Sequence, residues 1–117
     1  MTDKLFCEIW RDACACADPD AFASDWALSS AFAVPGDPDI DMELHQALLD
    51  LWHVAHDSFR ELLAQLGLKQ TGCATRFCIP LRTVQGWALG ERECPPYLRL
   101  MMAEAVGYLV LRDYGKG

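Results

Sequence analysis

The chain has 117 residues, 52% of them hydrophobic, which suits one packed domain and excludes a disordered segment. Its net charge of −7 is unevenly spread: residues 1–57 hold twelve acids and two bases, whereas residues 58–117 hold five acids and eight bases. No apolar run approaches the roughly 18 residues needed to span a bilayer. The opening Met-Thr-Asp-Lys-Leu-Phe-Cys-Glu lacks the apolar core of a secretory signal, so a cytoplasmic location is expected.

In chain order, the pattern is helical throughout. Leu5, Phe6, Ile9, Trp10 and Ala13 recur at three-and-four spacing and predict a helix over 3–17. Asp18-Pro19-Asp20 stops it and starts a short second helix, with Asp as a cap, Pro19 in a first helical position, and Phe22 and Trp26 on its buried face. Residues 27–34 fit either a continued helix or an extended strap. Val34-Pro35-Gly36-Asp37-Pro38-Asp39 reads as a loop. A long helix follows from about Asp39, with Leu44, Leu48, Leu51, Trp52, Ala55, Phe59, Leu62, Leu63 and Leu66 as its stripe. Ser58 and Glu61 have capping-box spacing, so this helix can be two pieces meeting near Asp57. Gly67 closes it. Two short helices are expected near 70–77 and up to Leu89, joined by a turn at Cys78-Ile79-Pro80. A last helix is expected from about Pro96 to Arg112, with Leu98, Met101, Met102, Ala105 and Leu109 as its stripe. The organisation expected is an acidic helical extension over 1–38 and a helical bundle over 39–117.

The six cysteines, Cys7, Cys14, Cys16, Cys73, Cys78 and Cys94, form no Cys-x-x-Cys pair. Cys14 and Cys16 point about 200° apart on a helix and cannot share a metal there. All six read as reduced thiols used as small apolar side chains. His53 and His56 share a helix face, but Trp52, Ala55 and Phe59 surround them, so a boundary role outweighs a metal site; His45 lies on the same helix. Ser29 and Ser30 have no nucleophile-elbow setting, and no phosphate-binding loop occurs. The expectation is a protein that is not an enzyme, with no cofactor and no metal. The four tryptophans read as core residues, with Trp10 and Trp26 the best candidates for an interface.

The stretch 67–97 carries the functional signal. Gln70 opens the first short helix, where its side chain can meet a phosphate. Ala74 is small where the second helix crosses, Phe77 fills the core, Ile79 packs at the turn, and Val84 and Trp87 anchor the second helix inward. That leaves Leu81, Arg82, Thr83, Gln85 and Gly86 around its N-terminal and outer surface. Arg and Gln make bidentate contacts to guanine and adenine edges, and Leu or Thr methyls suit a thymine methyl. The candidate base-reading residues are therefore Leu81, Arg82, Thr83 and Gln85. Lys69, Gln70, Thr71, Arg76 and Arg92 are the candidates for the DNA backbone.

Gly67-Leu68-x-Gln70, Ala74, Phe77, Ile79-Pro80-x-Arg82-Thr83-Val84-Gln85-x-Trp87, Gly90-x-Arg92 and Pro95-Pro96-Tyr97 together resemble the phage-repressor, or xenobiotic-response-element, helix-turn-helix family. Within it they are most similar to small bacterial helix-turn-helix proteins. The resemblance spans about residues 58–111. It implies an all-α fold, a small helical bundle with a repressor-like helix-turn-helix, and a role in transcription regulation. It does not extend to residues 1–57. Cys78 stands where the family usually has Gly, which puts a non-glycine residue in a left-handed turn. Gly72 and Gly86 weaken their helices, and Gly86 removes a side chain from the expected reading face.

The leading expectation is thus a DNA-binding transcription regulator, a homodimer matched to two-fold operators and associating through its first half. The alternative is an interaction module or antitoxin whose acidic half binds a protein partner, with the helix-turn-helix secondary or vestigial.

Overall fold

The structure, a computed structural model, describes residues 1–32 and 38–114, and the side chains from residue 42 onward in the second stretch. Of the loop expected over 34–39, residues 34–37 lie outside the described residues, as do the chain's last three, whereas Pro38 and Asp39 are helical. Among the described residues the protein is all-α, with no strand. The helices are α1 (Asp3–Ala15), α2 (Pro19–Ala27), α3 (Pro38–His56), α4 (Phe59–Leu66), α5 (Gln70–Phe77), α6 (Leu81–Leu89) and α7 (Pro96–Ala105), followed by a 3-10 turn at Leu111–Asp113. No described helix is long and apolar enough to cross a membrane.

The chain divides into two compact units, Met1–Ala55 with Leu109–Gly117, and His56–Tyr108. Within the first unit, α3 is tied to the residue that ends α1. Trp52 Nε1 donates to the carbonyl of Cys16 at 2.8 Å, and Leu44, Leu48, Leu51 and Val54 are buried. Thr2 caps α1 by accepting from the Leu5 amide, and Asp18 caps α2 with Pro19 in its first turn. Residues 28–32 form turns rather than continuing α2, and Phe32 is buried. Trp10 is buried and thus unavailable as an interface. Trp26 is half-buried and donates to Asp12 Oδ2 at 2.8 Å. His53 is half-buried, edge-on to Trp52 at 5.2 Å between ring centroids.

Residues after Tyr108 also belong to this first unit. Leu111 is fully buried, and Arg112 bonds Asp3 Oδ1 at 2.9 Å while its guanidinium lies 3.8 Å from the centroid of the Phe6 ring. The last helix accordingly stops at Ala105, not at Arg112. Gly107 takes a left-handed conformation (φ 76°), and the Tyr108 amide returns to the Ala103 carbonyl at 3.0 Å. Leu109 lies outside that helix.

The second unit opens with Ser58, which accepts from the Glu61 amide at 3.2 Å and donates to the Glu61 carboxylate at 3.0 Å. This capping pair separates α4 from α3. Phe59, Leu62, Leu63 and Leu66 are buried, and Gly67 (φ 70°) ends the helix. The side chains of α4 and α7 meet the backbone of their neighbours. Arg60 Nε donates to the Ala88 carbonyl at 3.0 Å, and Arg99 donates to the Asp57 carbonyl.

Candidate nucleic-acid interface

The α5–turn–α6 pair follows from three local causes. The Cys78 backbone turns left-handed (φ 55°), and the Ile79 amide closes onto the Ala74 carbonyl at 2.9 Å. Pro80 then sets the entry to α6, while Ala74, Val84 and Trp87 are buried. A left-handed non-glycine residue costs about 1 kcal/mol, and Cys78 is exposed, so its side chain contributes little packing. Cys78→Gly is therefore expected to stabilise the protein by about 1 kcal/mol, read as a rise in denaturation midpoint at unchanged slope. A lower midpoint would assign the Cys78 side chain a packing role.

With its anchors inward, α6 turns Leu81, Arg82 and Gln85 to solvent. Arg82 and Gln85 are three apart and share one face of the helix. Thr83 is half-buried and lines an apolar groove with Phe77, Ile79 and Trp87, so it stands at the edge of that face. Leu89, four residues beyond Gln85, is 63% exposed and extends the face toward the end of α6. Its spacing from Gln85 was the available signal, although its apolar character suggested core. Gly86 does not belong to the face: it is buried. After Gly90 (φ 78°) the chain doubles back, and the amide of Glu91 bonds the Gly86 carbonyl at 3.0 Å. The stem of Arg92 covers the site, its Cδ 3.9 Å from where a Cβ would stand. The expected loss of a reading side chain at Gly86 is therefore not incurred.

The candidate backbone-holding residues fall into two places. Lys69, Gln70 and Thr71 gather at the start of α5, where they line a shallow hollow of about 480 Å³ with Arg60, Leu63 and Leu68. Neither Lys69 at α5 nor Pro80 at α6 supplies a side-chain cap, and neither helix has an acid in its first turn. The first amides of both helices lack the side-chain acceptors that usually satisfy them, an arrangement that suits an anion. Arg76 and Arg92 lie elsewhere. Arg76 donates to the Ala105 carbonyl at 3.1 Å and lies over Phe77, which ties α5 to the end of α7. The exposed Arg92 rests its stem against Gly86.

No carboxylate occurs between Glu61 and Glu91, so Lys69, Arg76 and Arg82 stand on acid-free sequence. The division of charge survives the division of structure. The first unit holds twelve acids and four bases, and the second five acids and six bases, giving −8 and +1.

Cys73 and Cys94 are buried in the same unit. Burial pushes the Cys94 thiol up to about 11, with Cys73 adding to the shift and Arg99 opposing it. The folded protein therefore holds Cys94 protonated at neutral pH, where it is a poor nucleophile. Because the folded value lies above the ordinary value of 9.0, the associated stability is complete below pH 9 and is lost as pH rises toward 11. Over that window Cys94→Ala is expected to lose about 2–3 kcal/mol less than the parent, measured by urea denaturation at each pH. Parallel pH profiles for the two proteins would sink this.

Among the described residues no three His, Cys, Asp or Glu side chains gather as a metal site. No family model, curated protein or solved structure matches the chain.

Proposed function

We propose that the protein binds double-stranded DNA, with α6 in the major groove, and acts as a cytoplasmic transcription regulator. The observation that carries this reading is the combination on one helix pair of an anchored inner face, an outward Arg82 and Gln85, and uncapped helix starts free of acids. Leu81, Arg82 and Gln85 read base edges, and Thr83 contacts the groove from the edge of the face. Lys69, Gln70 and Thr71 meet one phosphate stretch at the start of α5, and Arg92 meets another. Arg76 is committed to the Ala105 carbonyl and acts chiefly by fixing α5. The protein works as a homodimer that matches two-fold operators.

The test is selection of bound duplexes from a random pool, followed by a salt titration on the winner. With Lys69 and Arg92 each neutralising one phosphate per chain, log K is expected to fall against log salt with a slope of about −2 per chain. Absence of binding at about 50 mM salt, where such contacts are strong, would overturn the reading.

A second reading is favoured by the −8 charge of the first unit. In it that unit binds a basic protein partner, as an antitoxin binds a toxin, and DNA binding is secondary. Co-purification of a basic protein encoded beside this chain, with no duplex selected from the pool, would favour this second reading.

A further inference from the structure

We infer that the apolar groove between α5, α6 and α7 is a binding site for an uncharged, apolar small molecule. This inference stands apart from the DNA reading and does not need it. The groove has a volume of about 450 Å³ and lies wholly within the second unit. That is within the roughly 300–1,000 Å³ of small-molecule sites. Phe77 and Ile79 come from the end of α5 and the turn, Thr83 and Trp87 from α6, and Met101 and Ala105 from α7.

The chemistry of the lining selects the occupant. No charged side chain lines the groove, and the polar side-chain groups of its lining residues are the Thr83 hydroxyl and the Trp87 indole N–H. An ionic ligand would lose its hydration there without a partner. Arg76, beside Phe77, is held by its bond to the Ala105 carbonyl. A ligand with a ring and a single hydroxyl matches this set: the ring against Trp87 and Phe77, the hydroxyl toward Thr83.

Size separates a small molecule from a protein. The surface open inside the groove is several-fold smaller than the roughly 800 Å² per partner that a stable protein interface buries. Met101, 61% exposed, provides an adaptable wall at the mouth.

The test uses the full chain with labelled isoleucine and methionine methyl groups, titrated with 1-naphthol and, separately, with naphthalene-1-sulfonate. Expected are saturable shifts at Ile79 and Met101 with a Kd below about 1 mM for the naphthol. Ile9 and Met42, in the other unit, stay still. The sulfonate is expected to bind about ten-fold more weakly or not at all. Ala105→Trp fills the groove and removes the shifts at Ile79. Met101→Glu, at an exposed position, weakens binding and serves where the first variant does not fold. No saturable shift by about 1 mM naphthol overturns the inference, as does equal binding of the sulfonate. So does concentration-dependent broadening at Ile79 without ligand, which would place a second copy in the groove.

Discussion

Replacing Trp87 with alanine is expected to destabilise the second unit by about 3–5 kcal/mol, the cost of deleting a large aromatic from a packed site. Trp87 is 8% exposed and meets the Phe59 ring edge-on at 5.3 Å between centroids, joining α6 to α4. The Arg60 bond to the Ala88 carbonyl runs between the same two helices. A loss of this size is a large part of the roughly 5–15 kcal/mol that holds a domain folded. Urea denaturation followed by far-ultraviolet circular dichroism reads it directly. Leu89→Ala is the comparison: it removes a side chain of the same helix that is 63% exposed, and a change within about 0.5 kcal/mol is expected. Equal effects of the two variants would mean that α6 does not pack through Trp87.

The second large effect concerns binding. Arg82→Ala and Gln85→Ala are each expected to cost about 1–3 kcal/mol of discrimination between a selected duplex and a random one. Neither side chain is buried, so neither change should lower stability beyond about 0.5 kcal/mol. Lys69→Ala, by contrast, weakens both duplexes alike and reduces the salt slope by about one, as loss of a phosphate contact does. Fluorescence anisotropy at one fixed salt concentration separates the two patterns. If the Arg82 and Gln85 variants discriminate as well as the parent, α6 does not read sequence.

Much of the fold was legible because helical stripes and caps are local. Ser58 and Glu61 announced the break before α4, and Asp18-Pro19 announced the start of α2. The left-handed turn at Cys78 was legible only through the family resemblance, since the residue type itself argues against it. What failed to show was decided by chain reversals. Leu109 continues the spacing of α7, yet Gly107 ends that helix and sends the chain back toward α1. Gly86 sits where an isolated helix would expose it, and only the return of Arg92 buries it. Of the candidate interface, the outward placement of Arg82 and Gln85 follows from the inward Val84 and Trp87. The diversion of Arg76 to the Ala105 carbonyl is a contact across 29 positions, with no trace in local pattern.

The pairing of Arg112 with Asp3 and Phe6 makes the first unit discontinuous, with the whole of 56–108 inserted into it. Closing that contact from an unfolded chain means confining a loop of more than a hundred positions, an entropic cost that grows with the logarithm of loop length. Once the inserted unit has folded, its two ends are held at a fixed separation and the effective loop shortens. Folding of 56–108 thus accelerates docking of Leu111 and Arg112 onto α1. A substitution that slows folding of the insert is therefore expected to delay that docking as well, although it lies in the other unit.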